Sequence, residues 1–262
     1  MTYRTIELTE SGAVAVVRLN RAAAYNALNH EMAAELVEAV RHVHRTPALR
    51  ALVLTGSGTA FCGGGDVKAF VQAGDGVPEY VESVVTPFHQ FVTQLVRLGK
   101  PTVAAVNGVA AGGGFSLAMA FDLVLAQEGA TFTSAYTRIG TSPDGSLSYF
   151  LPRMIGVRRT LELVLTNRVL SAQEALAWGL VTRVLPAAQL MAEALKLAGE
   201  LAAGPTLAFG RARELIYGSV DHSLETQLEL EARGIIASSR SEDFRNATRA
   251  FVEKTKAAYK GS

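Results

Sequence analysis

Cysteine is nearly absent from the sequence: Cys62 is the only one, so no intrachain disulfide can form. Long hydrophobic runs are missing too, because no stretch reaches the roughly eighteen apolar residues that a membrane-spanning helix needs. The N-terminal segment alternates in polarity and carries Glu7 and Glu10, whereas a signal peptide needs a basic start and an unbroken apolar centre. We therefore expect a cytoplasmic protein that works in a reducing compartment.

Charge of one sign is not in excess either. The 25 lysines and arginines nearly balance the 24 aspartates and glutamates, which leaves a formal net charge of +1. A nucleic-acid-binding protein would need a basic stripe, so we expect neither nucleic acid nor a membrane surface as a partner. Four histidines are scattered, and no pair of them has further metal ligands nearby: His30, His42, His44 and His222. We expect no metal site.

The sequence does contain enough apolar material for one large domain, since 49% of its 262 residues are hydrophobic. Residues 5–20 alternate as two short strands around a turn, and residues 29–45 place four apolar residues at helical spacing. Strand and helix patterns alternate from there, but beyond residue 187 the patterns are almost wholly helical. This order predicts an α/β core over residues 1–200 and an α-helical region over residues 201–262.

Two glycine clusters follow apolar runs that are typical of strands. They are "FCGGGD" at residues 61–66 and "GVAAGGGFS" at residues 108–116. Glycine lets backbone N–H groups approach a ligand, which could be a phosphate or an oxyanion. Neither cluster is followed by the Gly-Lys-Ser/Thr of a P-loop, and Phe61 stands where a dinucleotide fingerprint needs its third glycine. Either cluster alone is also explained by tight turns and close helix packing.

An aspartate in the segment "IGTSPDGSLSYFLPR", residues 139–153, has two interpretations. Asp144 lies between Pro143 and Gly145, which are turn residues. Apolar residues follow on the next turn: Leu147, Tyr149, Phe150 and Leu151. Asp144 is therefore either part of a turn or a carboxylate directed into an apolar pocket. Two N–H donors that converge on one carbonyl oxygen, with a carboxylate nearby, suit chemistry through an enolate or a tetrahedral oxyanion.

Five segments in order along nearly the whole chain resemble the crotonase family of enoyl-CoA hydratases and isomerases. They are "AFCGGGDVKAF", "KPTVAAVNGVAAGGGFSLAMAFDLVLA", "IGTSPDGS", "SAQEALAWGLVTRVLP" and "AFVEKTKAAYKG". The resemblance implies an α/β fold, a spiral of ββα units with an α-helical C-terminal trimerisation region. It implies a homotrimer, or a hexamer made of two trimers. The implied ligand is an acyl-CoA thioester, with no cofactor beyond the coenzyme A of the substrate.

The resemblance also implies a site around the two glycine clusters. In the family the thioester oxygen lies between two backbone N–H groups, and the matching positions are Gly65 and Gly113. The matching substrate-binding positions are Ala24, Gly63, Asp66, Val67, Tyr136 and Lys254. Of these, Asp66 is expected to brace the oxyanion loop. Lys254 would contribute from a neighbouring subunit, and a solvated helix lysine is an equal alternative.

The sequence departs from the hydratases at both of their glutamates. In "GGFSLA" Ser116 replaces one, and in "AYTRIG" Tyr136 replaces the other. Neither is a competent base near neutral pH, and Ser116 is most simply a small residue for helix packing. Several isomerase branches, among them Δ3,Δ2-enoyl-CoA isomerases and ring-epoxide isomerases of phenylacetyl-CoA breakdown, carry an acid after the proline of this stretch. The resemblance therefore implies an acyl-CoA isomerase with Asp144 as its general base.

Three alternatives remain open. A hydratase of unusual activity comes first. A dehalogenase is the second alternative. His89 lies between the glycine clusters, where the 4-chlorobenzoyl-CoA dehalogenase branch of the family has a catalytic histidine, although that branch has tryptophan at the position of Tyr136. A non-catalytic acyl-CoA-binding protein is the third alternative, and Asp144 argues against it.

Overall fold

The computed structural model describes residues 3–261, in which short strands alternate with helices. The described residues form ten strands: β1 (Ile6–Ser11), β2 (Val14–Leu19), β3 (Ala51–Gly56), β4 (Ala60–Cys62), β5 (Thr102–Val106), β6 (Val109–Ala111), β7 (Leu123–Gln127), β8 (Thr131–Thr133), β9 (Leu170–Ser171) and β10 (Arg183–Leu185). They also form ten α-helices: α1 (His30–Arg45), α2 (Val67–Ala73), α3 (Val77–Val96), α4 (Gly113–Met119), α5 (Leu147–Thr166), α6 (Ala172–Ala177), α7 (Leu190–Ala202), α8 (Thr206–Gly218), α9 (Leu224–Ser239) and α10 (Glu242–Glu253).

The N-terminal elements form where the sequence predicts them. Strands β1 and β2 make the expected antiparallel hairpin. The Asn29 side chain accepts a hydrogen bond from the Met32 N–H at 2.9 Å and so caps α1. The helical spacing of apolar residues is confirmed, because one face of α1 is buried: Met32, Leu36, Val40 and Val43.

The strands form two sheets built from a repeating ββα unit. Six strands make the larger sheet in the order β1-β2-β3-β5-β7-β10, parallel except for the β1–β2 pair. Four make the smaller sheet in the order β4-β6-β8-β9, parallel except for the β8–β9 pair. The pairs β3–β4, β5–β6 and β7–β8 each give their first strand to the larger sheet and their second to the smaller, and a helix follows. The predicted α/β fold of ββα units is confirmed.

Apolar side chains cover both faces of the larger sheet. Along β3, Leu52 and Leu54 point to one face and Ala51 and Val53 to the other, as the alternation of a strand requires. Helices α1, α3 and α4 and the smaller sheet pack on the first face, and α7 packs on the second. The predicted domain boundary at residue 200 falls within α7.

Beyond α7 the chain is mainly helical, and much of its apolar surface faces outward. The exposed apolar residues of this region include Ile216, Val220, Leu224, Leu228, Ile235, Ile236, Phe251 and Val252. Each of these residues is more than half exposed within residues 3–261. None of the described helices combines the length and the hydropathy needed to cross a membrane.

A buried ion pair joins α8 to the core. Arg213 Nε donates to Asp122 Oδ2 at 2.8 Å, and the two side chains are only 10% and 17% exposed. The same carboxylate accepts hydrogen bonds from the Thr102 N–H at 2.8 Å and from the Tyr217 hydroxyl at 3.0 Å. These contacts anchor the C-terminal helices, because moving α8 away would leave the Asp122 carboxylate without its cation, which costs free energy in such surroundings.

We expect Arg213→Met to lower the free energy of unfolding by about 3 kcal/mol, because it leaves the Asp122 carboxylate buried without a counter-ion. Urea unfolding at one fixed protein concentration measures the change. The control is Arg233→Met, which removes an exposed pair with Glu229 and should leave the unfolding midpoint unchanged. Equal effects of the two substitutions would contradict the anchoring role of Arg213.

Candidate active site

A cavity of about 640 Å³ lies between α3 and the loops that follow β4, β6 and β8. Its wall is mostly apolar, as expected for a site that takes an acyl group. Six of the residues predicted for the site lie on this wall: Gly63, Gly65, Val67, Gly113, Tyr136 and Asp144. The structure thus brings both glycine clusters and the aspartate to one cavity.

The two glycine clusters meet because β4 and β6 pair in parallel, which carries the loops after both strands to the same edge of the smaller sheet. Gly64 makes the close contact possible. It has a φ of +95°, and a Cβ at this position would lie 2.8 Å from the Ala111 carbonyl oxygen and 3.3 Å from the Gly113 nitrogen. A larger residue would hold the loops apart.

Two backbone N–H groups on the cavity wall are free to bind a ligand. Within the described part of the chain, neither the Gly65 nor the Gly113 N–H donates a hydrogen bond to another residue. Their neighbours do: the Asp66 N–H donates to the Leu28 carbonyl at 3.0 Å, and the Gly112 N–H donates to a carbonyl of β8 at 3.1 Å. A pair of unused donors beside one cavity suits a carbonyl oxygen that gains negative charge.

Asp66 braces the first glycine loop and does not line the cavity. One carboxylate oxygen accepts from the Ala69 N–H at 3.3 Å and caps α2, and the other accepts from Arg21 Nη2 at 2.8 Å. Burial raises the pKa of Asp66, but the hydrogen bond and the charge of Arg21 and the hydrogen bonds from backbone N–H groups together outweigh burial, so the pKa lies below its usual value. The expected bracing role fits this geometry. Substrate contact by Asp66 stays a prediction.

Asp144 is paired with His89. Nε2 of His89 lies 2.6 Å from Oδ1 of Asp144, and the two side chains are 51% and 31% exposed. The imidazole comes from α3, whereas the carboxylate precedes α5. The aspartate therefore lines a mainly apolar cavity but has one polar partner, which the apolar residues that follow it in sequence did not indicate.

The hydroxyl groups of Ser116 and Tyr136 both contact the backbone carbonyl oxygen of Asp144. Ser116 Oγ lies 2.7 Å from it and Tyr136 Oη 3.0 Å, and the two hydroxyl oxygens are 2.8 Å apart. Burial raises the pKa of Tyr136, although the hydrogen bond with Ser116 opposes the shift, so the phenol is neutral. Ser116 is fully buried in α4, and its hydroxyl makes it more than the packing residue expected from the sequence.

Two predicted substrate contacts lie away from the cavity wall of their own chain. Ala24 belongs to a short 3-10 helix, Ala22–Ala24, and Lys254 follows α10 with an exposed side chain. Burial raises the pKa of the Cys62 thiol to about 12, so it is not a nucleophile. Among residues 3–261 no three His, Cys, Asp or Glu side chains are arranged to hold a metal ion.

Sequence analysis missed the wall that α3 contributes. Five apolar residues of α3 line the cavity: Val77, Val81, Val84, Val85 and Phe88. Val77, Val81 and Val85 follow each other at intervals of four residues, and His89 continues the series. Because His89 continues this apolar helical stripe, its spacing was the signal in the sequence that could have placed it beside the cavity.

Known proteins share both the sequence pattern and the fold. The sequence profile described as enoyl-CoA hydratase/isomerase matches residues 9–262. The 1,2-epoxyphenylacetyl-CoA isomerase of Escherichia coli (strain K12) is 36% identical over 249 residues, which cover 95% of each chain. The 4-chlorobenzoyl coenzyme A dehalogenase-1 of Arthrobacter sp is 35% identical over 234 residues, 89% of this chain and 85% of that protein.

The fold is also that of a solved hydratase. The crystal structure of an enoyl-CoA hydratase from Polaromonas sp. JS666 superposes with a TM-score of 0.93 at 32% identity, covering 97% of this chain and 99% of that one. The names of these three relatives describe different reactions, and all three name a coenzyme A compound. The profile match, the identities and the fold together show that the chain belongs to the crotonase superfamily, the enoyl-CoA hydratases and isomerases.

Proposed function

We propose that the protein is an acyl-CoA isomerase that shifts a double bond, or isomerises a ring-derived enoyl-CoA, through a thioester enolate. The observation that carries the proposal is the composition of the cavity wall. Among the described residues Asp144 is the only carboxylate on this wall, and it shares the wall with Gly65 and Gly113. One carboxylate suffices for an isomerisation, because the proton taken from one carbon is returned to another.

The chemistry needs the amide pair as well as the base. A hydrogen α to a thioester is far less acidic than a carboxylic acid, whose reference pKa is about 4. The N–H groups of Gly65 and Gly113 hold the thioester oxygen and stabilise its charge as Asp144 removes the α proton. The carboxyl group then returns the proton to the γ carbon. The enolate electrons form the new double bond and restore the carbonyl, so no redox cofactor is required.

His89 connects this proton with solvent. It occupies Oδ1 of Asp144 and leaves Oδ2 for the substrate, and half of its side chain is exposed. A proton that waits on Asp144 can therefore exchange with water through the imidazole before it returns to carbon. We expect the product formed in deuterated water to contain some deuterium, and Asp144 alone to return the rest of the original proton.

Similarity to a protein named as an isomerase supports the proposal, and the residues at the hydratase acid positions support it further. Hydration has less support, because Ser116 and the neutral Tyr136 stand at those positions and neither is a base. A cytoplasmic location is part of the proposal and rests on the composition of the sequence.

A second candidate is displacement of halide from an aroyl-CoA, and the contact between His89 and Asp144 favours it. A carboxylate beside an imidazole is also the arrangement of a nucleophile beside a general base. In this reaction Asp144 would form an ester with the ring carbon and release halide, and His89 would activate the water that cleaves the ester. The similarity to a 4-chlorobenzoyl coenzyme A dehalogenase agrees with this alternative.

We expect Asp144→Asn to reduce the isomerisation of 3-enoyl-CoA by about a hundredfold to ten-thousandfold, the usual value of a positioned general base. Binding of the CoA thioester should persist, since the oxyanion donors are backbone groups. Steady-state kinetics and calorimetric titration with a substrate analogue measure the two quantities. Asp75→Asn, in the exposed 3-10 helix Gly74–Gly76, is the matched control and should change neither. An Asp144→Asn enzyme as fast as the wild type would reduce Asp144 to a turn residue.

The two candidate reactions respond differently to His89→Gln. In the isomerase, double-bond transfer continues, and the product formed in deuterated water contains less deuterium because the exchange route is lost. In the dehalogenase, turnover of 4-chlorobenzoyl-CoA stops at the ester, since water is no longer activated. Chloride release and mass spectrometry of the protein distinguish the outcomes. Chloride release by the wild-type protein, without isomerisation of any 3-enoyl-CoA or ring-derived enoyl-CoA, would exclude our first candidate.

We also propose that the chain forms a homotrimer, alone or paired into a hexamer. Its C-terminal helices expose large apolar residues such as Phe251 and Val252, which are 84% and 80% exposed. An apolar stripe on α5 is exposed as well: Met154, Val157, Leu161 and Leu165. Surfaces of this kind are rare on monomers. A further copy of the chain carries the same apolar surfaces on its C-terminal helices and on α5, and so can cover those of the first copy.

We expect sedimentation at micromolar concentration to give three or six times the chain mass of 27.8 kDa. Phe251→Asp should shift the population toward monomers, because it buries a charge in an apolar contact. Lys196→Ala, exposed on α7, is the control and should leave the assembly intact. A wild-type protein that sediments as a monomer would refute this assembly.

A further inference from the structure

The conformation of the loop that carries Asp144 depends on contacts with other elements. Residues 141–144 form no regular structure, and Thr141 and Ser142 are exposed. Directly after Asp144 the backbone is left-handed at two consecutive residues, with φ of +59° at Gly145 and +75° at Ser146. Such a conformation is strained at serine and persists only where surrounding groups fix it.

Two hydroxyl groups from separate elements fix the loop at the Asp144 carbonyl. Ser116 comes from α4, and Tyr136 opens the short 3-10 helix Tyr136–Ile139. Their oxygens lie 2.7 and 3.0 Å from the carbonyl oxygen, which also accepts from the Leu147 N–H at 3.3 Å. Two hydroxyl groups and one N–H from three segments therefore converge on one backbone atom of the residue that carries the proposed base.

The same two helices that line the cavity also confine the residue after Asp144. A Cβ at Gly145 would overlap the ring of Phe88 on α3 and would lie 3.1 Å from Cβ of Ser116 on α4. The loop therefore sits directly on Ser116, and only a glycine fits between the helices at this point. The hydroxyl contacts and this packing act on the same short segment.

The protons of both hydroxyl groups have acceptors within the protein. Each hydroxyl carries one proton, and the available acceptors are the Asp144 carbonyl and the other hydroxyl, with the Gly112 carbonyl 3.3 Å from Ser116 Oγ. The hydroxyl donors at the two positions where hydratases carry acids are thus directed to the backbone of Asp144 and to each other.

We propose that Ser116 and Tyr136 are positioning residues, which set the carboxylate of Asp144 against the substrate through its backbone carbonyl. This inference rests on the proposed isomerase function. It assigns one purpose to both replacements of the hydratase acids. Neither residue exchanges a proton with the substrate, and each acts only through Asp144.

The test is a double-mutant cycle with Ser116→Ala and Tyr136→Phe, made in the wild type and in the Asp144→Asn enzyme. In the wild type we expect each substitution to lower kcat for 3-enoyl-CoA about tenfold, and both together by up to about a hundredfold, as for a misplaced reacting group. KM should not change. In the Asp144→Asn enzyme the same substitutions should have no further effect, because the group they position is no longer a base.

Tyr217→Phe is the matched control, since it also removes a buried phenol oxygen, here bound to Asp122, away from the cavity. It should leave kcat unchanged even if it lowers the thermal midpoint. Equal losses from Ser116→Ala in both backgrounds, or wild-type kcat in both single variants, would overturn the positioning role while leaving Asp144 as the base. Full activity of Asp144→Asn would instead overturn the isomerase proposal. If Tyr136→Phe does not fold, the loss of kcat from Ser116→Ala in the two backgrounds is sufficient to test the positioning role.

Discussion

Parallel pairing of β4 and β6 is the constraint on which the site depends. It carries two loops, separated by about fifty residues in the chain, to one edge of the smaller sheet, and Gly64 lets them come into contact. Two backbone amides are then fixed by strand geometry rather than by side-chain rotamers. Such donors need little reorganisation when charge develops nearby, which is the main requirement for stabilising an enolate.

The acid side of the site is built in a different way. Asp144 belongs to a loop with strained backbone, and its place is determined by groups from α3, α4 and the segment after β8. The helix α4 and the segment after β8 each follow a strand of the smaller sheet, so these contacts to Asp144 share one frame with the two amides. A rigid pair of donors and a clamped carboxylate together suit the proposed proton transfer from the α carbon to the γ carbon.

Local patterns predicted much of this arrangement. The glycine clusters, the strands before them and the Pro-Asp-Gly segment are contiguous in sequence, and Gly65, Gly113 and Asp144 do line one cavity. The contact of His89 with Asp144 spans 55 positions, and that of Ser116 with the same residue spans 28. A helical stripe indicates which face is buried but not which partner it meets, because tertiary packing decides that. Ser116 therefore looked like a packing residue, and the bond between Arg21 and Asp66 had no local signal at all.

The groups proposed for the chemistry and the side chains that shape the space for the acyl group come largely from different segments of the chain. The amides of Gly65 and Gly113 and the carboxylate of Asp144 form the proposed reacting end of the cavity, whereas the valines of α3 form much of the remaining wall. Exchanging Val77, Val81 or Val85 for smaller or larger residues would reshape the space for an acyl group and leave these three groups unchanged. During evolution, substitutions in this single helix can therefore change which thioesters the cavity accepts, while selection keeps the groups proposed for the chemistry.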